Sequence, residues 1–386
     1  MSTIEWNFSN TFPLPYRVLI ISVIGLWAWG SNLQILSWLS IDISPLDTTQ
    51  STHKAVYNLA FIFTFLIGLN LVIFWQVTGG IETEIIEWTS IPLVCYIFVF
   101  AIILCPFNRF RKKERVKFLR CIRRIIFSFS GDVHLADVIM ADILTSFAKV
   151  LGDLYVTGCI LLFHDGYIGN RGWSYIIAPL FTSIPYVIRF KQCMTEYIGS
   201  NRNDKRTLFN AFKYFSAFPV ILFSALQKWY KYEALIDPSI VWISPPALFR
   251  LWIISVAFNS IYSFYWDVVM DWKLDFFSPA YPGTLIPRLQ LRSHLHFNES
   301  FIYYVAIFID FLLRFTWSLK LSSHLHIIHQ LESGVFLMEV LEVMRRWLWI
   351  FFRLESAHVE KFDKKGGVYS MVEFRDHNPS DIELNQ

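Results

Sequence analysis

The chain has 386 residues, of which 54% are hydrophobic, 18% are aromatic and only 17% are charged. A soluble domain would carry about a quarter charged residues, so this composition, with a mean hydropathy of +0.42, excludes an ordinary soluble protein. The net charge of +3 is too small to predict nucleic-acid binding. The five cysteines have no paired spacing, which predicts neither a disulfide framework nor a zinc site.

The apolar residues form long runs separated by short polar segments, which is typical of a polytopic membrane protein. The first run is longer than a signal-peptide core, and we expect it to remain in the protein. We predict an all-α membrane helical bundle with about nine transmembrane spans. These are 17–38, 55–77, 88–106, 136–163, 173–190, 207–227, 240–264, 299–320 and 335–352.

Charge in the loops predicts the orientation of the chain. Segment 108–124 contains nine basic residues against the single Glu114, whereas the loop 79–87 contains only acidic charges. The positive-inside rule therefore places 108–124 in the cytosol, the N-terminus in the lumen and the C-terminus in the cytosol. The simplest interpretation of 108–124 is a topology determinant that lies on anionic headgroups. The alternative is a vestibule that concentrates anions at the cytosolic mouth.

Charged residues also recur inside the predicted spans, where each costs about 3 kcal/mol or more. The last span contains Arg345 and Arg346 side by side, with Glu339 and Glu342 nearby. Adjacent arginines indicate an anion, because a guanidinium donates two parallel hydrogen bonds to an oxyanion and stays charged. Carboxylates could pair with these arginines once the anion has left. The other charged residues at this depth are Asp137, Asp142, Lys149, Asp153, Lys213, Arg250, Asp267, Asp271, Asp310 and Arg314.

Several of these residues lie four apart and hence on one face of a helix. The pairs are Asp267 with Asp271, Asp310 with Arg314, and Glu342 with Arg346. The charges either form structural ion pairs between helices or line a polar pathway. Asp310 and Lys149 could be ordinary partners of neighbouring helices, and Arg250 could equally reach the membrane surface.

Six strings of the sequence, in order, resemble those of the EXS-domain family of phosphate exporters. The resemblance covers about residues 107–358, and the full set is far more specific than any one string. The strings are ADILTS (141–146) with GDLY (152–155), IPYVIRFKQC (184–193), NAFKYFS (210–216), YSFYWDVVMDW (262–272), LRFTW (313–317) and the segment 339–358 around LEVMRR.

The resemblance implies export of inorganic phosphate along a path lined by charged and aromatic side chains. Tyr214 and Trp317, which charge alone does not select, would supply a hydroxyl donor or an aromatic gate. The sequence departs from the family after Cys193, where arginines usually follow, and at Ile350, where the family has Asn. The positions that match the path are Asp142, Lys213, Tyr214, Asp267, Asp271, Arg314, Trp317, Glu342, Arg345 and Arg346.

We expect three regions: an N-terminal membrane region with three spans (1–106), an EXS-type membrane domain with about six spans (107–358) and a flexible cytosolic tail (359–386). Larger family members begin with a regulatory SPX domain, whereas about 16 residues precede the first span here, so we expect no such regulation. Small members without SPX resemble the fungal Golgi member, which is linked to phosphate recycling and to retention of ER and Golgi residents. The resemblance thus implies a Golgi, or ER, membrane protein that returns phosphate from the lumen to the cytosol and supports glycosylation.

Two other functions compete with transport. A sorting scaffold would retain Golgi glycosyltransferases through cytosolic contacts, with a sorting adaptor bound at the tail. A membrane enzyme could use His326 and His329 as metal ligands, although a solvated loop explains the histidines more simply. The sequence contains no nucleophile–base set, phosphate loop or HExxH motif. We therefore expect no enzyme activity, metal or cofactor; the expected partners are phosphate, membrane lipids and, as a further option, a second copy of the chain.

Overall fold

The computed structural model describes residues 8–41, 43, 46, 52–127, 133–163, 174–233, 242–277, 290–292, 294–297, 299–316, 318 and 332–376. The regular elements in these segments are all helical, which confirms the all-α prediction. The helices are α1 (Phe8–Thr11), α2 (Leu14–Trp38), α3 (Thr52–Thr78), α4 (Glu82–Glu87), α5 (Ser90–Leu104), α6 (Lys112–Phe127), α7 (Leu135–Ser146), α8 (Ala148–Phe163), α9 (Ser174–Gly199), α10 (Lys205–Phe215), α11 (Ala217–Glu233), α12 (Pro245–Tyr265), a π-helix (Trp266–Asp271), a short 3₁₀ turn (Asp275–Phe277), α13 (Ser300–Arg314) and α14 (Glu332–Asp376).

The apolar helices form a membrane bundle. Within the described segments, four stretches are long and apolar enough to cross a bilayer: Leu14–Trp38, Thr52–Thr78, Lys205–Lys231 and Pro245–Asp271. The pair α7 and α8 would add a fifth if it is one bent span, and α5 is apolar but has only 15 residues. Each of the nine predicted spans overlaps a helix, but the count of nine spans stays a prediction.

Two long helices organise the bundle. The α9 helix packs against α7, α8, α10 and α11, and the α14 helix packs against α2, α7, α13 and the π-helix. Because α7 contacts both long helices, its residues lie between them. This arrangement brings together segments of the chain that are about 200 residues apart.

The segment predicted as one span, 136–163, is broken at Phe147. The α7 and α8 helices meet there at an angle of 63°, although neither proline nor glycine occupies the break. The Phe147 ring packs on Gly25 of α2, so closely that a Cβ atom on Gly25 would lie 2.5 Å from it. A tertiary contact thus accompanies the bend, which turns the end of α7 toward α14.

Local signals explain the boundaries of other helices. Pro245 and Pro246 occupy the first turn of α12, where the missing amide hydrogen is not needed. Asp204 caps α10 by accepting a hydrogen bond from the Arg206 amide at 3.0 Å. The π-helix that follows α12 adds a residue to the helical turn, and such irregular turns are frequent at functional sites.

The last helix extends beyond the family-like region. Its helical backbone continues to Asp376, into the segment predicted as a cytosolic tail. The flexibility of residues 359–386 therefore stays a prediction, as do the three proposed regions of the chain.

Candidate functional site

A group of charged side chains, most of them buried, lies where α7, α9, α10, the π-helix, α13 and α14 meet. Both Arg345 and Arg346 of α14 point into it, with only 2% and 6% of their surfaces exposed. We call this group the central charge cluster. Its acidic members are Asp142, Asp267, Asp271, Asp310 and Glu342, and its basic members are Arg189, Lys213, Arg314, Arg345 and Arg346.

Asp267 on the π-helix is the hub of the cluster. Its carboxylate is fully buried and accepts hydrogen bonds from Lys213 at 3.0 Å and from Arg314. Arg345 adds a third contact at 3.3 Å. A buried carboxylate with three cationic partners is stable only because their charges and hydrogen bonds replace water.

Arg345 is saturated by carboxylates. Its Nε and Nη2 atoms donate to both oxygens of Glu342, at 2.9 and 2.5 Å, in the bidentate geometry that arginine favours. Its Nη1 atom reaches Asp267 at 3.3 Å and Asp310 at 3.4 Å. The pairing of Glu342 with Arg346 that the four-residue spacing predicted is wrong: Glu342 forms its ion pair with Arg345, three residues away.

Arg346 has a different environment. Among the described residues its hydrogen-bond partners are two hydroxyl groups, Ser146 Oγ and Thr145 Oγ1, each at 3.0 Å. Its guanidinium lies 4.5 Å above the Trp349 ring, and its buried Nη1 atom has no partner within the described part of the chain. A buried cation with neutral partners and an unsatisfied donor retains capacity to bind an anion.

The two hydroxyl groups connect Arg346 to the rest of the cluster. Ser146 donates to Glu342 Oε1 at 2.8 Å, and Thr145 donates to the backbone carbonyl of Asp142 at 2.7 Å. Because each hydroxyl already donates elsewhere, its oxygen is oriented to accept from Arg346. The last turn of α7 thereby positions the arginine.

A second buried pair lies beside this turn. Arg189 of α9 donates to Asp142 at 2.8 Å, and Tyr214 of α10 donates to the same carboxylate oxygen at 2.6 Å. Arg189 also donates to the Tyr214 hydroxyl at 3.0 Å and to Gln192 at 2.6 Å. The Asp142 carboxylate is therefore occupied by groups from two other helices, which join α7, α9 and α10 at one point.

The polar groups continue from the hub toward the C-terminal part of α14. Lys213 contacts Asp271 at 3.4 Å as well as Asp267. The two aspartates of the π-helix thus lie on one side of it, as their spacing predicted, and the lysine that they share was not predicted. Arg353 lies 4.0 Å from the Asp271 carboxylate and donates to its backbone carbonyl at 3.3 Å. Arg346 and Arg353 are seven residues apart on α14 and hence share a face.

A smaller polar group lies on the other side of Arg346. Lys149 of α8 forms an ion pair with Asp153 and lies 3.7 Å from Glu339 of α14. This agrees with the interpretation of Lys149 as a partner between neighbouring helices. Asp310 of α13 is also a partner between neighbouring helices, because it contacts Arg345 of α14 at 3.4 Å inside the central charge cluster. Its predicted pair with Arg314 is present at 3.7 Å.

The structure brings together the residues that match the predicted path, with one exception. The exception is Trp317, which lies outside the described residues. The same holds for the histidines of the metal alternative, His324, His326 and His329. Arg189, Thr145 and Ser146 were not selected from the sequence. Arg189 stood inside one of the resembling strings, so its charge was a usable signal, whereas a buried serine or threonine has no such signal.

The chain is similar in sequence to known proteins over most of its length. A model of the EXS family matches residues 12–359 and so extends further toward the N-terminus than the strings alone indicate. "Protein ERD1 homolog 1" of Schizosaccharomyces pombe is 31% identical over 369 residues, covering 91% of this chain and 92% of that protein. "Phosphate transporter PHO1-2" of rice, Oryza sativa, is 32% identical, covering 92% of this chain and 43% of that protein.

A human protein is similar as well. "Solute carrier family 53 member 1" is 30% identical over 287 residues, which cover 69% of this chain and 39% of that protein. The names of the rice and human relatives describe transporters and carriers rather than enzymes. With the family model matching most of its length, the chain belongs to the EXS family.

Proposed function

We propose that this protein transports inorganic phosphate from the Golgi lumen to the cytosol, and thereby supports glycosylation and the retention of ER and Golgi residents. The rice relative is named a phosphate transporter, and the yeast relative is a homolog of ERD1. The observation that carries the proposal is Arg346, a buried cation held by two hydroxyl groups and left with an unsatisfied donor.

Phosphate fits the position beside Arg346 for chemical reasons. A guanidinium matches a phosphate oxygen pair in geometry, and its charge does not depend on pH. The Ser146 and Thr145 hydroxyls could turn to donate to an oxyanion. Arg345, one residue away, offers a second guanidinium if phosphate competes with its carboxylate partners.

The carboxylates of the cluster supply a means of release. Lys213, Arg314 and Arg345 contact Asp267 in the structure. In the proposed cycle phosphate displaces Asp267 from these cations and then leaves as the carboxylate returns. This exchange keeps the three cations compensated at every stage, whereas cations without carboxylates would hold a divalent anion too tightly.

The proposed path follows one face of α14. Phosphate enters on the luminal side, is held by Arg314, Arg345, Arg346 and Lys213, and passes Asp142, Asp267 and Asp271 toward Arg353. Tyr214, Glu342 and Trp317 would line the same route. The direction rests on the proposed topology, in which the basic helix α6 and the C-terminus are cytosolic and the N-terminus is luminal.

The experiment is phosphate flux into proteoliposomes that contain the purified full-length chain. Arg346→Gln is the informative variant, since among the described residues no carboxylate partner of Arg346 is left unpaired by the substitution. Arg250→Gln is the matched control, because Arg250 is exposed on α12 and lies outside the cluster. We expect saturable flux that sulfate competes with weakly, lost in Arg346→Gln and retained in Arg250→Gln. Absence of flux from folded wild-type protein would instead favour the sorting scaffold.

A further inference from the structure

A partly open cleft lies on the other side of α7 from the central charge cluster. It encloses about 410 Å³ between α2, α3, α5, α6 and α7, within the range of about 300–1,000 Å³ that is common for small-molecule sites. Its walls are mainly apolar, and include Val23, Phe63, Val99, Ile143 and Phe147. Apolar walls of this size favour a hydrocarbon group.

The edge of the cleft is basic. Lys117 and Arg120 of α6 line it, together with Arg124, which is already held by Asp137 at 2.6 Å. These three cations are spaced three and four residues apart, so they share one face of the helix. Glu114 is the acidic side chain at the same edge. The positive charge and the apolar walls thus occur side by side.

The position of α6 is fixed by Arg115. Its buried guanidinium donates to the carbonyl oxygens of Ile103 and Cys105 at 2.9 Å each, and to those of Phe110 and Arg109 at 2.7 and 2.9 Å. These bonds attach the start of α6 to the end of α5. The hydrogen bonds of Arg115 therefore fix the basic face of α6 in position beside the cleft.

We propose that this cleft binds one anionic phospholipid of the surrounding membrane. An acyl chain occupies the apolar space, and the headgroup phosphate contacts Lys117 and Arg120. A basic segment beside a membrane attracts anionic lipid even without a cleft. The cleft adds a defined site for one acyl chain, so we expect one lipid to bind to each protein molecule.

The cleft shares α7 with the central charge cluster. Ile139 and Ile143 of this helix face the cleft, whereas Asp142 and Ser146 contact Arg189 and Arg346. Phe147, at the break after α7, also lines the cleft. A bound lipid would therefore pack against α7, the helix that positions Arg346. The binding proposal itself does not depend on the transported substrate.

The test is native mass spectrometry of the full-length chain, titrated separately with dioleoyl phosphatidylserine and dioleoyl phosphatidylcholine. We expect a single phosphatidylserine to bind at least tenfold more tightly than phosphatidylcholine. Lys117→Glu with Arg120→Glu should weaken phosphatidylserine binding at least about 25-fold, because loss of each cation contributes roughly fivefold and the new carboxylates repel the phosphate. The matched control is Lys112→Glu with Arg123→Glu, which changes the charge of α6 equally away from the cleft, and it should retain binding.

A second variant fills the cleft. The Ser22 hydroxyl lines it and, among the described residues, donates to the carbonyl of Val18 in its own helix, at 2.8 Å, so Ser22→Trp should fold and lose the bound lipid. Equal affinity of the wild type for both lipids, or equal losses in the two double variants, would overturn the proposal and assign binding to general surface charge. If the Lys117/Arg120 variant does not fold, tight phosphatidylserine binding by folded Ser22→Trp would overturn it.

Discussion

The N-terminal helices and the central charge cluster bury polar groups in different ways. Between α2, α3 and α5 the polar contacts are mostly neutral: Tyr16 donates to Asn70 at 2.6 Å, and Tyr96 donates to the Pro15 carbonyl at 2.9 Å. The cluster instead buries charged carboxylates and cations, each of which costs several kcal/mol to remove from water. The contacts between α2, α3 and α5 therefore show that helices of this bundle can pack on neutral polar groups, although Arg17 of α2 is buried against Glu332 of α14. The concentration of charges in the central charge cluster calls for a functional reason.

The largest expected effect concerns the hub. Asp267→Asn leaves Lys213, Arg314 and Arg345 close together without their shared carboxylate, so we expect a loss of stability of about 3–5 kcal/mol. Thermal unfolding in detergent measures it. Asp275→Asn is the matched control, because Asp275 is exposed on the neighbouring 3₁₀ turn. Equal unfolding midpoints for the two variants would contradict the role of Asp267 as a hub.

Substitutions of Arg314 and Arg346 should differ in their effect on the free energy of unfolding. Arg314→Gln removes a partner of Asp267 and should cost about 3 kcal/mol or more. Arg346→Gln removes the bonds to two hydroxyl groups and the contact with the Trp349 ring. It takes no partner from a carboxylate that is hydrogen-bonded to it among the described residues, so it should cost less, about 2 kcal/mol. Unfolding midpoints of the two variants, measured side by side, check this difference. A reversed order would mean that Arg346 is a structural residue.

A smaller effect is expected from the hydroxyl group that positions Arg346. Ser146→Ala removes one of the two hydroxyl acceptors of Arg346 and a donor to Glu342, so the KM for phosphate should rise about 3- to 10-fold. Flux at several phosphate concentrations measures it. Ser255→Ala is the control, because that hydroxyl is exposed and bonds to its own helix at Leu251. An unchanged KM in Ser146→Ala would separate Ser146 from the phosphate site.

The smallest effect should come from a substitution between α2, α3 and α5, where the polar contacts are mostly neutral. Tyr16→Phe removes one hydrogen bond to Asn70, which contributes about 1 kcal/mol, and phosphate flux should not change. The measurement pairs an unfolding curve with a flux assay on the same preparation. A large loss of flux in this folded variant would show that the N-terminal helices take part in transport.

Sequence reasoning found much of the cluster because charge inside an apolar run is conspicuous. Asp142, Lys213 and Asp267 stood out in this way, and the resemblance added Tyr214. Pairings were harder to predict: the spacing of Glu342 and Arg346 suits an i,i+4 pair, but the bidentate geometry favours Arg345. Whether Glu342 pairs with Arg345 or Arg346 depends on the groups that α7 and α13 place beside them. The sequence of α14 alone does not contain that information.

The bend at the end of α7 was also not predictable from the local sequence. Periodicity and hydropathy gave the helices, but nothing in the local sequence around Phe147 marks the 63° bend. The contact of Phe147 with Gly25, more than a hundred residues away, is tertiary and has no local signature. Because this bend presents Thr145 and Ser146 to α14, the environment of Arg346 could not be derived from sequence.

The most direct measurement is the uptake of radiolabelled phosphate by proteoliposomes that contain wild type, Arg346→Gln or Arg250→Gln at equal amounts of folded protein. A charge-assisted contact contributes about 1.5–3 kcal/mol, so Arg346→Gln should reduce uptake at low phosphate by about 10- to 150-fold, with Arg250→Gln unchanged. Uptake by Arg346→Gln equal to that of the wild type would contradict the assignment of the anion to Arg346.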